Sequence, residues 1–243
     1  MPYRRLPNTD QARIRALKLA VEKGDRSDIY DLAISVKTLS GARNFLLKFE
    51  GAQAYYKECY ENQAKGGRKH QTNVRMARLF ISHFIQVLNL AVIRLEIKKY
   101  NRELYGLPID NSNVPDLSNE AAIVEWGKKV VIGEQKRLVG GGSPIYNPTI
   151  AKVKVHYDIF MEGYERQKNL QSITNRSLEE LASMRERADE IILDIWNQVE
   201  KKFKTVRPNA LRMEKCQEYG VVYYYRLNEK TDGQEQEPEL NFE

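Results

Sequence analysis

The side chains best suited to bind a metal or attack a substrate are three histidines and two cysteines: His70, His83, His156, Cys59 and Cys216. Di-iron sites in helical bundles place a glutamate three residues before a histidine, so that both ligands share one helix face. No histidine here has a glutamate at that spacing, and neither cysteine has a second ligand nearby in sequence. We therefore expect no metal site, and we interpret the helical histidines and Cys59 as packed residues.

Catalytic groups of other kinds are not evident either. Nucleophilic catalysis needs a serine or cysteine with a base in reach, and the chain has no Gly-x-Ser-x-Gly turn. Carboxylates are numerous but lie scattered among polar positions, where solvation explains them. The sequence thus predicts no catalytic residues, no cofactor and no enzymatic activity.

One glycine-rich segment, residues 140–144, precedes a predicted helix start, where backbone amides and the helix dipole favour anions. It lacks the Gly-Lys-Ser/Thr ending of a phosphate-binding P-loop and the strand that precedes a dinucleotide-binding loop. Two interpretations stay open: a connection that reverses the chain between helices, which we favour, and an anion-binding loop. The residues of the second interpretation are Gly141, Gly142, Ser143 and Asn147.

Pairs of basic residues recur along the chain, several of them close to tyrosines that could stack on bases. The candidate nucleic-acid contacts are Arg4, Arg5, Arg68 and Lys69. Basic residues near helix ends also have a structural cause, because they offset the helix dipole. No helix-turn-helix, RRM, KH or zinc-finger pattern is present, so any nucleic-acid binding is expected to have little sequence specificity.

Four segments carry a resemblance to known sequences: residues 2–9 (PYRRLPNT), 81–89 (ISHFIQVLN), 142–148 (GSPIYNP) and 218–223 (EYGVVY). Along most of its length the chain resembles an uncharacterised family of bacterial helical proteins of about this size. The resemblance implies a bacterial cytosolic protein. It supplies no catalytic residues.

The candidate residues lie in segments whose apolar residues recur with the spacing of amphipathic helices. The most regular stripe has alternating steps of three and four residues and comprises Val74, Ala77, Ile81, Phe84, Leu88, Ala91 and Leu95. We predict helices near 28–64 and 70–104, joined as a hairpin by a break at Gly66-Gly67. A shorter helix is expected after Asn119 or Ser118, which are suitable N-caps.

The segment 148–204 contains no proline after Pro148 and only one glycine, Gly163. Asn147-Pro148 is a helix-start signal, with Asn147 as N-cap. The apolar stripe keeps its phase through the segment but becomes polar at Gln167, Gln171 and Thr174. One long helix with a polar layer is slightly favoured over a hairpin that turns near residues 172–176.

The end of the chain differs in composition from the rest. Pro208 is expected to end the helical region, and Val221–Leu227 has the β-branched and tyrosyl composition of a strand. Residues 229–243 hold six acidic side chains and one lysine and therefore carry a net charge of −5. Since the whole chain has a net charge of +6, residues 1–228 carry +11. A basic body with an acidic tail fits either a solvated helical surface or a polyanion-binding protein.

The 243 residues suffice for a buried core, and the two cysteines indicate a reducing compartment. No long apolar run indicates a membrane span or a secretory signal, so we expect a cytoplasmic protein without a membrane partner. We predict a mainly α fold, an antiparallel bundle of long helices with a short C-terminal strand. Its predicted regions are an N-terminal helical hairpin (1–106), a loop (107–118), a C-terminal helical region (119–228) and a disordered acidic tail (229–243). The expected function is a non-catalytic scaffold or protein-interaction module that self-associates, with nonspecific nucleic-acid binding as the alternative.

Overall fold

Helices make up most of the computed structural model, which describes residues 3–225. The helices are α1 (Asp10–Arg26), α2 (Val36–Ile93), a 3-10 helix (Lys99–Tyr105), α3 (Glu120–Val139), α4 (Ile150–Ser183), α5 (Arg185–Lys202) and α6 (Asn209–Gln217). The strands β1 (Tyr3–Arg4) and β2 (Tyr223–Tyr224) form a small antiparallel sheet. The mainly α fold of long, mutually packed helices is therefore confirmed. The predicted acidic tail lies outside the described residues.

The chain divides into two units, each with its own core. The first unit combines the residues before Glu58 with those from Ser177 onward, and the second is Glu58–Arg176. This differs from the expected division at the loop 107–118, because residues on both sides of that loop belong to the second unit. The loop itself is fastened to the second unit, where Arg102 donates a hydrogen bond to the Pro108 carbonyl (2.8 Å) and Asn89 donates one to the Ser112 carbonyl (2.7 Å).

The core of the first unit forms between α1, the start of α2, α5 and the segment after α6. Leu17 of α1, Phe49 of α2 and Trp196 of α5 are fully buried there. Helix α1 begins at Asp10, where the Thr9 side chain caps it by accepting a hydrogen bond from the Ala12 amide (3.2 Å).

The core of the second unit forms around the regular stripe of α2. Its buried members are Val74, Ala77, Ile81, Phe84, Leu88 and Ala91, as predicted. Leu95 does not belong to the core, because α2 ends at Ile93 and Leu95 takes a left-handed backbone conformation (φ 62°) with its side chain 90% exposed. Phe160 of α4 and Ile123 and Val130 of α3 complete this core.

The predicted break at Gly66-Gly67 is wrong, since α2 runs through both glycines without interruption. A Cβ on Gly66 would lie 2.8 Å from Cδ1 of Leu170 in α4. The glycine therefore allows α4 to approach α2 closely, which stabilises the helix through packing instead of ending it. The predicted hairpin of helices 28–64 and 70–104 is accordingly a single helix.

Segment 148–204 forms two consecutive helices, α4 and α5, so it is neither one uninterrupted helix nor a hairpin that turns near residues 172–176. Helix α4 continues through residues 172–176, so no hairpin turn exists there, and the only interruption before Lys202 is Met184 between α4 and α5. The helix starts at Ile150, and the Thr149 hydroxyl accepts a hydrogen bond from the Lys152 amide (3.4 Å), so Thr149 and not the predicted Asn147 caps it.

The C-terminal strand pairs within the chain. Tyr223 and Tyr224 lie opposite Arg4 and Tyr3, and Val221 is buried in the core of the first unit. The strand is shorter than the predicted Val221–Leu227, of which residues 226 and 227 lie outside the described residues. Pro208 does not end the helical region, since α6 follows it directly.

Helix α2 contains an 18-residue window of mean hydropathy 1.6, which makes it long and apolar enough to cross a membrane. Of that window, 39% is buried. Core helices of soluble proteins meet the same criterion, so length and composition do not separate the two cases. The cytoplasmic location and the absence of a membrane partner remain predictions.

Candidate functional site

A cleft of about 650 Å³ lies within the second unit, between the middle turns of α2 (residues 62–73) and α4 (residues 159–170). The two helices run antiparallel here, because Gly66 faces Leu170 while His70 faces Gly163, further back along α4. Ligand sites are typically clefts of 300–1,000 Å³ with a few polar groups that converge. This cleft has that size and is rich in charged and polar side chains.

Two glycines set the depth of the cleft. A Cβ on Gly163 would lie 2.7 Å from Nδ1 of His70, and one on Gly66 would lie 3.2 Å from Oε1 of Gln167. His70 occupies the space that the missing Cβ leaves free at Gly163, and Leu170 and Gln167 share that space at Gly66. Glycine on both helices therefore brings His70 and Gln167 to the base of the cleft.

Three exposed cations, Lys65 and Lys69 of α2 and Arg166 of α4, line the cleft. The two lysines are one helical turn apart, as are Glu162 and Arg166 on α4, so these side chains share a face of their helix. Within the described residues none of the three cations has an ion-pair partner. One carboxylate, that of Glu162, accompanies them, which leaves an excess of two positive charges.

His70 is the most deeply placed polar group of the cleft, with a side chain 5% exposed. Its Nε2 lies 3.0 Å from Oε2 of Glu120 and donates the hydrogen bond when the carboxylate is ionised. The ring stacks on Phe160 at 5.7 Å between centroids. Nδ1 is buried and has no hydrogen-bond partner within the described residues, and in the neutral ring this atom is an acceptor.

Gln167 presents a second acceptor. Its Nε2 donates to the Gln63 carbonyl at 3.5 Å, while Oε1 is buried without a partner in the part of the chain described here. A buried polar atom without a hydrogen bond costs on the order of 1–3 kcal/mol. Two such acceptors lie at this cleft, and an N–H or O–H donor would satisfy either of them.

The predicted nucleic-acid contacts separate in the structure. Lys69 lines the cleft, and Arg68 is exposed beside it on α2. Arg4 is instead engaged within the first unit, where it donates to Glu200 at 3.1 Å and to Asn197. Arg5 is exposed at a separate surface depression of that unit.

The glycine-rich loop serves as the end of α3. The amides of Gly140, Gly141 and Gly142 donate to carbonyls of the last turn of that helix, and Arg137 donates to the Ser143 carbonyl at 2.7 Å. These amides are therefore unavailable to an anion. The chain-reversing connection explains this loop better than the anion-binding alternative.

The described residues contain no group of three or more histidine, cysteine or acidic side chains that could hold a metal. His83 is exposed, and His156 stacks on Phe80 at 4.1 Å. Both cysteines are buried, and burial raises the pKa of the Cys216 thiol above its ordinary value. A raised pKa lowers the thiolate fraction and hence the reactivity of Cys216.

Sequence analysis alone did not group Lys65, His70, Arg166 and Gln167 as the lining of one cleft. Two signals point to them in retrospect: the glycine pair inside an otherwise regular helical pattern, and the polar residues that interrupt the apolar stripe of segment 148–204. Thr174 belongs to the same polar layer and donates to the Cys59 carbonyl at 3.3 Å, so the layer faces α2. These two signals concern the same cleft only because α2 and α4 pack antiparallel in a particular register. Local residue spacing does not predict that register.

Comparisons with protein-family models, curated proteins and solved structures give no significant match to this chain. The resemblance to a family of bacterial helical proteins consequently stays a prediction. Functional inference rests on the geometry of the cleft.

Proposed function

We propose that the protein is a non-catalytic helical binding module whose α2–α4 cleft receives an anionic group of its partner. The observation that carries this proposal is the convergence of Lys65, Lys69 and Arg166, without ion-pair partners among the described residues, at one cleft. Cations that line one cleft attract anions more strongly than the same charges on a convex face. The groups lining this cleft are suited to holding a ligand, not to activating a nucleophile.

Titration with inorganic phosphate, followed by backbone amide NMR shifts, tests this proposal. Phosphate should shift amides of residues 62–73 and 159–170, and the Lys65→Gln/Lys69→Gln double variant should lose those shifts. Lys37→Gln/Lys48→Gln is a matched control, because both lysines are exposed and line a groove in the first unit. Shifts that are absent, or that persist in the cleft variant, contradict the proposal.

Nucleic-acid binding is the second candidate function. Arg68 is exposed next to Lys69 and one helical turn after Lys65, so three cations lie close together on α2 where phosphate groups could be neutralised. A labelled 20-nucleotide single strand and duplex should then be retained at about 50 mM salt and released as salt rises. Arg68→Gln/Lys69→Gln should weaken retention more than Lys201→Gln/Lys202→Gln. Lack of retention of both ligands at about 50 mM salt removes this candidate.

Self-association remains part of the proposal for the module. The C-terminal strand does not support it, because β2 pairs with β1 of the same chain. Support comes from the exposed apolar side chains Leu79, Leu90 and Ile93 of α2. Sedimentation velocity over a hundredfold concentration range should show a dimer or larger species, and a constant monomer would contradict this part.

A further inference from the structure

We infer that the α2–α4 cleft binds a small phosphorylated hydroxyl compound, with the phosphate at the cations and the hydroxyl groups at His70 and Gln167. This inference rests on the proposed anion-binding function and specifies the ligand class. The cleft has two features that attract different chemical groups. The cations favour anions, whereas the unpartnered acceptors favour hydrogen-bond donors.

The charge of the cleft favours a phosphate monoester over a carboxylate. Among the residues that line the cleft, Lys65, Lys69 and Arg166 exceed Glu162 by two positive charges, and the Glu120 carboxylate, which His70 binds through Nε2, is not part of that lining. A phosphate monoester carries about −1.5 to −2 near pH 7, which matches that excess, while a carboxylate carries −1. Arginine adds a planar pair of donors that fits two phosphate oxygens.

His70 and Gln167, at the base of the cleft, determine which chemical group attached to the phosphate binds best. Nε2 of His70 is committed to Glu120, which places the free lone pair of the neutral ring on Nδ1. Oε1 of Gln167 is likewise an acceptor without a partner in the described structure. A ligand hydroxyl can donate to either atom when the His70 or Gln167 side chain turns from the facing glycine into the cleft, whereas inorganic phosphate in its dianionic form offers at most one proton.

The extent of the cleft favours a small molecule over a polymer. Its lining on α2 runs from residue 62 to residue 73, about 16 Å at 1.5 Å per residue. A volume of about 650 Å³ accommodates a sugar phosphate or a mononucleotide. A nucleic-acid strand would contact the rim cations, Arg68 included, without filling the base.

Isothermal titration with three probes tests the inference: ribose 5-phosphate, inorganic phosphate and ribose. Ribose 5-phosphate should bind on the order of tenfold more tightly than phosphate, as two net hydrogen bonds would produce, and ribose should bind most weakly. Gln167→Met retains the size of the side chain but removes the acceptor. It should reduce the ratio of the affinity for ribose 5-phosphate to the affinity for phosphate.

The ¹⁵N shift of His70 Nδ1 provides a second measurement that does not depend on a variant. It should move when ribose 5-phosphate is added and stay in place with inorganic phosphate. The Lys65→Gln/Lys69→Gln variant should lose affinity for both phosphorylated probes, whereas Lys37→Gln/Lys48→Gln should retain it. Circular dichroism establishes that all variants are folded.

The outcomes separate this inference from the proposed function. Equal affinity for phosphate and ribose 5-phosphate, both dependent on Lys65 and Lys69, overturns the inference and leaves the anion-binding module intact. Binding of the 20-nucleotide strand through these lysines, without binding of ribose 5-phosphate, also overturns it and favours the nucleic-acid function. If no anionic probe depends on these lysines, both proposals are wrong.

Discussion

Arg137 binds the carboxylate of Glu134, one turn earlier in α3, through two hydrogen bonds of 2.7 and 2.8 Å. The two side chains are only 4% and 1% exposed. Tyr105 joins them, donating to Glu134 and accepting from Nε of Arg137 at 3.0 Å. The hydrogen bond that Arg137 donates to Glu134 raises the pKa of Arg137, so the guanidinium stays charged inside the second unit. The network connects α3 to the 3-10 helix and to the glycine-rich loop.

Glu134→Gln should destabilise the protein by about 3–5 kcal/mol, because it leaves the buried Arg137 charge without its counter-ion. The exposed pair formed by Glu125 and Lys129 on the same helix is a matched control. Glu125→Gln should change the free energy of unfolding by less than about 1 kcal/mol. Urea unfolding measures both, and similar costs for the two variants would contradict the structural role of the network.

Alkaline pH should weaken the same network. Burial and the hydrogen bond to Glu134 raise the pKa of Tyr105 above the ordinary value of 10.0. The stabilisation from neutral Tyr105 is therefore complete below about pH 10 and is lost as pH rises above it, since the unfolded state releases the proton first. Stability measured by urea unfolding from pH 8 to 11 should fall steeply.

Tyr105→Phe tests the source of that fall. Its stability should decline less steeply above pH 10 than that of the unchanged chain, although Tyr223, whose pKa burial also raises, retains part of the slope. Tyr146→Phe, at an exposed position, should leave the slope unchanged. An unaltered slope in Tyr105→Phe would show that Tyr105 does not govern the alkaline transition.

The central stripe of α2 should respond to truncation. Phe84 and Leu88 are fully buried, so alanine at either position should cost about 2–5 kcal/mol through lost burial and a residual cavity. Leu79→Ala on the exposed side of the same helix should cost about 0.5 kcal/mol or less. Changes below about 0.5 kcal/mol at both Phe84 and Leu88 would place them outside the core.

Replacement of a helical glycine by alanine should destabilise the protein where another atom lies close to the new Cβ and stabilise it where none does. A Cβ on Gly133 would lie 2.8 Å from the Leu104 carbonyl oxygen, a backbone atom that cannot rotate away, so Gly133→Ala should destabilise the second unit. Gly51 has no atom within 4 Å of the same position, and Gly51→Ala should stabilise α2 by about 0.5–1 kcal/mol. Melting temperatures should therefore move in opposite directions, and a shift in the same direction would argue against the close approach at Gly133.

The sequence contained enough information for the helical class and for the core stripe, because a period of 3.6 residues depends only on local spacing. Val74 through Ala91 could therefore be assigned to the core without tertiary information. The continuity of α2 could not be predicted, since glycine has the same local preference at a helix break and at a close helix contact. Only the position of Leu170 in α4 decides between the two at Gly66.

The candidate site was predicted in part. Lys69 was named for its charge, whereas Lys65 and Arg166 look like ordinary solvated residues until α2 and α4 are placed in register. His70 has no sequence signature, because its partner Glu120 is 50 residues away and its stacking partner Phe160 lies on another helix. Contacts at such separations depend on the tertiary fold and leave no local pattern.

The C-terminal segment should stabilise the first unit through β2 and the residues before it. Tyr219 and Val221 are buried, and Tyr223 donates to Glu200 at 2.9 Å while its strand pairs with β1. Removal of residues 220–243 deletes these contacts except those of Tyr219, and it should lower the melting temperature by several degrees. Removal of residues 230–243 alone is the control, because that segment is acidic and has no periodic apolar face; it should leave the melting temperature unchanged. Equal melting temperatures for the longer truncation and the full chain would show that β2 does not stabilise the fold.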